Sequence, residues 1–337
     1  MRAIVSNKPA PIESPEALVD IELPRPVPGP RDLLVKIEAI SVNPVDTKVR
    51  LRPRASAGPL VLGWDAAGVV VGVGAEVVRF KEGDQVFYAG DITRPGTNAE
   101  FHVVDERIVG HKPRSLGWAE AAALPLTSIT AWEMLFDRLD VKRPVPGASG
   151  ILIIGGAGGV ASIAVQLARR LTDLGVIATA SRPETRAWIA ELGAHHVLDH
   201  SRPLSEQIAA AGLAPPGFVF STTHTDAHIR DIVALIAPQG RFGLIDDPPT
   251  LDIMPFKRKA VSAHWESMFT RPIFSTADID QQGVLLDEVA RLVDAGTLRT
   301  TLAERFGTID AANLRRAHAL LESGQARGKI VLEGFPA

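Results

Sequence analysis

The 337-residue chain contains no cysteine and a single tyrosine, Tyr88. Without thiols there can be no disulfide, no thiolate nucleophile and no soft ligand of the kind zinc sites favour. Neither sign of charge is in large excess. The formal net charge is -3, which gives no general pull toward nucleic acid or an anionic membrane surface. The opening residues, Met1 to Lys8, lack the apolar region of a secretory signal. Residues 151–168 carry no charge, but glycines at 155, 156, 158 and 159 interrupt them and Arg169-Arg170 close them. A strand, a tight turn and a buried helix account for this stretch better than a membrane span. These absences predict a soluble, cytoplasmic protein, and its length predicts two domains.

The first third reads as β-rich. Short apolar runs at 33–37 and 67–74 are separated by proline and glycine, and Lys81-Glu82-Gly83-Asp84 is a turn feeding a strand at 85–88. The run Pro24-Arg25-Pro26-Val27-Pro28-Gly29-Pro30 excludes a helix or central strand, since each proline lacks a donor. A compact barrel of short strands is the economical architecture. From about residue 118 the period changes. Residues 118–135 look helical apart from Pro125, and from 151 onward strands (151–154, 176–180, 197–198, 218–220, 241–245) alternate with helices. That alternation predicts a parallel, doubly wound sheet. A helix near 311–321 and a strand at 329–332 complete the chain.

The strand Ile151-Leu152-Ile153-Ile154 runs directly into Gly155-Gly156-Ala157-Gly158-Gly159-Val160-Ala161. From Gly156 this is G-x-G-x-x-A, a dinucleotide fingerprint with a strand before it and a helix after it. Gly156 would allow the tight turn and Gly158 the approach of a pyrophosphate. Ala157, Gly159 and Val160 complete the loop and open the helix, whose N-terminus favours phosphate. The second strand ends Thr179-Ala180-Ser181-Arg182, without the carboxylate that an NAD site uses to hold the ribose hydroxyls. A hydroxyl and a guanidinium suit a 2′-phosphate, so the predicted cofactor is NADPH. The alternative is that Arg182 is a solvated loop charge and Glu184 caps the next helix.

These segments belong to a wider pattern. Ser41-Val42-Asn43-Pro44-Val45-Asp46, Leu62-Gly63-Trp64-Asp65-Ala66-Ala67-Gly68, 121–132, the glycine loop, Leu192-Gly193-Ala194 and Gly328-Lys329-Ile330-Val331-Leu332 follow one another along nearly the whole chain. Together they resemble the medium-chain dehydrogenase/reductase superfamily, in its quinone-oxidoreductase-like branch of zinc-type alcohol dehydrogenase-like proteins. The resemblance implies an α/β fold: a chaperonin-10-like (GroES-like) β-barrel substrate domain at 1–125 and 296–337, and a Rossmann domain at 126–295. It also implies a C-terminal return to the barrel, a nicotinamide site in a cleft between domains and a homodimer. Zinc members carry a cysteine near 42–46 and a Gly-His-Glu where this chain has Gly63-Trp64-Asp65, so the expectation here is no metal. Neither His224 with His228 nor the group His195, His196 and His200 has a zinc-protease spacing.

Within this frame Asn43 is a candidate to position a carboxamide or a substrate carbonyl, although Asn-Pro is an ordinary turn starter. Tyr88 could donate a proton to a developing enolate, although strand tyrosines usually pack. Thr127 is implied to meet the cofactor, unless its hydroxyl bonds back along a helix. Ser221 and Ile245 lie at strand ends where open α/β sheets bind ligands. Lys329 resembles a family lysine near the domain cleft, which makes it a candidate cofactor contact; otherwise it is an edge-strand charge. The expected activity is zinc-independent hydride transfer from NADPH to a quinone or an α,β-unsaturated carbonyl. The alternatives are a zinc-dependent alcohol dehydrogenase and a non-catalytic NADPH-binding crystallin-like or redox-sensor protein. No basic patch suggests a nucleic-acid module.

Overall fold

A computed structural model describes residues 1–53 and 58–336. The chain divides into two compact units, Met1–Ile129 with Phe269–Ala337, and Thr130–Met268.

The first unit is organised by the strand Asp32–Val42, whose Leu33, Val35, Ile37, Ala39 and Ile40 are buried. One edge pairs with Ala66–Val73; the other pairs first with Phe101–Asp105 and then with Lys329–Glu333. Register shifts against Ala66–Val73 between Leu34 and Val35 and between Ile37 and Ala39 bend the pair. Gln85–Tyr88, Gly110–His111 and Leu302–Arg305 extend this seven-stranded sheet. The pairing of Lys329–Glu333 with Ala39–Val42 is the C-terminal return to the barrel. A smaller sheet of Val19–Glu22, Arg2–Ser6 and Leu60–Val61 packs Ala3, Val5 and Val61 together with Ala99. Residues 269–295, which fall within the 126–295 domain that the resemblance implies, cluster with the first compact unit. The reason is the apolar face of the helix Gln281–Asp294, which carries Leu285, Leu286, Val289 and Val293. Leu286 lies so close to Gly110 that a Cβ there would be 2.5 Å from its own, and Asp287 accepts the N–H of His111 at 2.8 Å.

The second unit is a six-stranded sheet in the order His196–Leu198, Gly175–Thr179, Gly150–Ile154, Phe218–Ser221, Arg241–Leu244, Ser262–Trp265. Every pairing is parallel. In chain order the strands run 3-2-1-4-5-6, the Rossmann arrangement, with the reversal between Gly150–Ile154 and Phe218–Ser221. The helix Gly159–Leu171 buries Ala161, Ile163, Ala164, Leu167 and Ala168, as a sheet-covering helix must. Among the described residues no helix is long and apolar enough to cross a membrane.

Candidate functional site

In open α/β sheets ligands bind beyond the carboxyl ends of the strands, at the point of reversal. Here that point holds the glycine loop. The positive φ of the turn falls on Gly155 (φ +84°), one residue before the position expected to allow it. A side chain at Gly155 would also strike Thr222 Oγ1 at 2.5 Å. Gly156 serves close packing instead. A Cβ there would lie 2.8 Å from Ile189 Cδ1 and 3.1 Å from Ala178 Cβ, so its absence lets the loop sit tightly on its neighbours. Gly158 caps the helix Gly159–Leu171 with no side-chain hydrogen bond. A Cβ on it would meet only Gly155 O, at 3.5 Å. The space above Gly158 and the N–H groups of Gly159, Val160 and Ala161 are therefore left for a ligand. Half-buried Ala157 completes the loop. These residues fit a dinucleotide pyrophosphate.

The neighbouring strand end carries the predicted selectivity residues. Ser181 is exposed; Arg182 precedes the helix Pro183–Leu192, and its Nε lies 3.1 Å from Glu184 Oε1. Such an exposed pair is weak enough for a phosphate to displace. Thr179, which the sequence motif does not single out, holds this region to the loop, its Oγ1 accepting the Gly155 N–H at 3.0 Å. Ser221 is buried and its hydroxyl shares a 2.8 Å hydrogen bond with Thr225, while the half-buried Ile245 donates its N–H to Ser221 O at 3.3 Å. Both lie at strand ends, but the Ser221 side chain is occupied within the protein.

The first unit holds a cluster of a different kind. Asn43 caps the helix Pro44–Leu51, its N–H donating to Asp46 Oδ2 at 2.6 Å. Its Nδ2 donates to Asp65 Oδ2 at 2.8 Å, and its Oδ1 accepts from Lys329 Nζ. Lys329 Nζ also lies 3.0 Å from Asp65 Oδ2 and donates to Val42 O at 2.8 Å, and the Leu126 N–H donates to Asp65 Oδ1 at 2.8 Å. All four side chains are buried. Burial raises the pKa of Asp65 and pushes Asp46 up to about 7, with Lys329 acting against both shifts. Lys329 is thus the internal counter-ion of Asp65, a role beyond the edge-strand charge considered for it. Sequence reasoning does not single out Asp65, because its partner arrives from the far end of the chain.

Two of the candidate hydroxyls have partners within the protein. Tyr88 is buried, with its hydroxyl 3.0 Å from His102 Nδ1. His102 Nε2 faces Pro95 O at 2.9 Å, and since a carbonyl only accepts, Nε2 carries the proton. Burial lowers the His102 pKa to about 4, so Nδ1 is the acceptor and the phenol donates to it. The hydroxyl proposed as a proton donor already has a partner inside the barrel. Thr127, expected at the cofactor, turns its hydroxyl back to Leu124 O at 3.1 Å.

Residues 29–131 match the alcohol dehydrogenase GroES-like domain family, and residues 192–332 match the zinc-binding dehydrogenase family. A zinc-type alcohol dehydrogenase-like protein of Staphylococcus aureus MSSA476, SAS2087, is 38% identical over 98% of this chain and 99% of its own length. The human mitochondrial NAD(P)H oxidoreductase RTN4IP1 is 30% identical over 90% of this chain and 82% of its own. Among solved structures, a Rhizobium etli CFN 42 protein assigned as a zinc-dependent alcohol dehydrogenase is 65% identical with a TM-score of 0.98. It covers 100% of this chain, and 99% of its own is matched. The quinone oxidoreductase of Coxiella burnetii is 26% identical, covers 99% of each chain and has a TM-score of 0.80. The zinc in these names does not suit the residues here. Trp64 is no ligand, no thiolate exists, and of the two nearby carboxylates Asp65 is taken by an ammonium, an amide and a backbone N–H while Asp46 accepts the Asn43 N–H. Among the described residues no three His, Cys, Asp or Glu side chains are grouped to hold a metal.

Proposed function

The chain belongs to the medium-chain dehydrogenase/reductase superfamily of oxidoreductases, and on that premise we propose that it reduces a quinone or an α,β-unsaturated carbonyl with NADPH and without zinc. The observation that carries this reading is the Lys329–Asp65 pair, which places a fixed ammonium on the carboxylate that follows Trp64. A metal-dependent dehydrogenase uses its ion as a Lewis acid to hold a localised alkoxide charge. Residues unsuited to that ion favour a substrate that spreads the charge through conjugation, where one or two hydrogen bonds suffice. NADPH, when bound, would supply the hydride. The protein's part is to seat the pyrophosphate on the free amides of Gly159, Val160 and Ala161 at the start of the helix Gly159–Leu171 and the 2′-phosphate at Ser181 and Arg182.

A homodimer in the cytoplasm belongs to the same proposal. Among the described residues the edge strand Ser262–Trp265, with its exposed Trp265, has one side without a strand partner and offers it for association; sedimentation at the mass of one chain would refute the dimer.

The test follows NADPH absorbance with quinones, enones, saturated aldehydes and alcohols, on tag-free protein assayed for metal. Turnover of quinones or enones is expected, with zinc far below one per chain and activity indifferent to chelators. Stoichiometric zinc with chelator-sensitive activity, or better turnover of saturated aldehydes than of every conjugated substrate, refutes the reading. Tight NADPH binding without turnover of any substrate would leave a binding protein instead.

A further inference from the structure

Three histidines gather where the parallel sheet ends, and neither the fold nor the proposed reaction uses them. The strand pair Gly175–Thr179 and His196–Leu198 is in register to Thr179 and Leu198, and Ala180 N–H then donates to Leu198 O at 2.9 Å. The two chains thus leave the sheet side by side, one into Ser181-Arg182 and the other into Asp199-His200. His200 Nδ1 lies 3.3 Å from Thr179 Oγ1, the same hydroxyl that accepts the Gly155 N–H. One threonine therefore joins the imidazole to the loop suited to the pyrophosphate. His228, on the helix Thr225–Leu235, sets its ring 6.3 Å from that of His200, and His224 caps the same helix.

The geometry points to His200 as a proton-dependent reader of the cofactor's 2′-phosphate, so that preference for NADPH over NADH strengthens as pH falls through the neutral range. The inference rests on the NADPH reading above and adds the regulation of that site. The groups facing His200 define its electrostatics. Burial holds its pKa below the usual histidine value, with His224 and Arg182 acting in the same direction and Asp199 against it. His228 is likewise lowered by burial, then by His200 and His224, and is opposed by Asp231 and Asp226. Arg186, whose guanidinium reaches Ala180 O and Val197 O, adds a further cation beside the two chains. In the free protein the imidazole is therefore neutral near pH 7. A dianionic phosphate set among these groups favours the imidazolium and raises the pKa in the complex. A ligand that raises a pKa takes up a proton on binding, so its affinity grows as pH falls through the raised value. NADH has no such phosphate and gives no such slope.

The experiment measures dissociation constants of NADPH and NADH by cofactor fluorescence between pH 6.5 and 8.5, above the second ionisation of the phosphate at about pH 6. For the wild-type protein the NADPH/NADH affinity ratio is expected to fall about three- to tenfold across this range, with NADH nearly flat. His200→Gln should abolish the slope of the NADPH/NADH affinity ratio with pH. His200→Lys, with its permanent charge, should hold the ratio high at every pH. Arg182→Ala should lower the ratio throughout. Equal affinity of the wild type for both cofactors at all pH values overturns the NADPH reading itself. An NADPH preference that is flat with pH, or a slope that survives His200→Gln, overturns the role of His200 and leaves the NADPH reading standing. Ionisation of the phosphate alone would give the opposite slope in all variants.

Discussion

In the barrel, Asp65 is met by Lys329, Asn43 and the amide of Leu126; in the parallel sheet, the first turn of the helix Gly159–Leu171 has no side-chain cap at all. Both are concentrations of polar groups, and both carry residues expected from the sequence to be functional. The difference is where the partner comes from. The barrel supplies its own, at the cost of burying an ion pair, and the cluster then acts as structure. The sheet withholds a partner, and donors left over at a helix N-terminus are what an anion binds. Satisfaction, more than residue type, separates the framework from the site.

The sharpest way to break this comparison is to remove the barrel's counter-ion. Lys329→Met leaves the Asp65 carboxylate buried without a cation, and such a loss typically costs about 3–5 kcal/mol. Urea denaturation should show it as a large drop in midpoint. Lys329→Met with Asp65→Asn should recover a good part, because the unpaired charge has gone. A single variant within about 1 kcal/mol of wild type would mean that the pair is incidental.

The opposite experiment fills the sheet's open donors. Gly158→Ser adds a side chain for which the structure has room and which is among the preferred N-caps. Stability should hold or rise slightly. The same hydroxyl competes with the pyrophosphate, so NADPH and NADH affinity should both fall by about tenfold or more, or about 1.4 kcal/mol. Unchanged binding of both cofactors would show that the loop is only a turn.

How much of this is legible in the sequence follows from how local each signal is. The strands at 151–154, 176–180, 218–220 and 241–245 are legible to within a residue or two because buried parallel strands are short apolar runs between breakers. Ser262–Trp265 is not, since an edge strand reading Ser-Ala-His-Trp has no such run. The glycine loop is visible as a local motif, although the motif places its positive-φ residue at Gly156 and the structure has it at Gly155; the doublet Gly155-Gly156 carries no mark that assigns the turn. The segment 269–295 follows the alternating strands and helices directly, and only its apolar face shows that it packs on Gly110 and His111. The Asp65–Lys329 pair joins residues from opposite ends of the chain, and no spacing rule reaches that far. Resemblance singles out Lys329, while Asp65 passes as part of a segment that lacks zinc ligands.

A pH titration of stability sharpens the same contrast inside the barrel. Asp46, pushed up to about 7 by burial, is protonated in the folded chain at pH values where an unfolded aspartate is ionised. Between about pH 4 and 7 the folded state therefore binds more protons than the unfolded state, so this residue's contribution falls as pH rises through the window and levels off above it. Asp46→Asn should remove that dependence, so the difference in unfolding free energy between variant and wild type should move in the variant's favour from pH 4 to 7. A constant difference would place the Asp46 carboxylate in the ionised state throughout.

The smallest expected effect on catalysis is the one that most separates packing from chemistry. Tyr88 is the only phenol in the chain, and the proposed metal-free reduction needs some donor for the oxygen it reduces, which is why Tyr88 stands out as a candidate catalytic acid. In the structure its ring stacks with His102, centroids 5.5 Å apart, and its hydroxyl donates to the one imidazole nitrogen not used by Pro95. A donor already committed in a buried site is a poor acid for a substrate, because donating elsewhere would first strand His102 Nδ1. Tyr88→Phe strands it permanently, and leaving a buried acceptor unpaired costs about 1–3 kcal/mol. The variant should thus unfold at lower urea concentration while kcat with a quinone stays within about twofold, against the tenfold to hundredfold loss that follows removal of a general acid. If kcat falls by that larger factor with stability unchanged, the hydroxyl leaves His102 during turnover, and the barrel interior is part of the reaction after all.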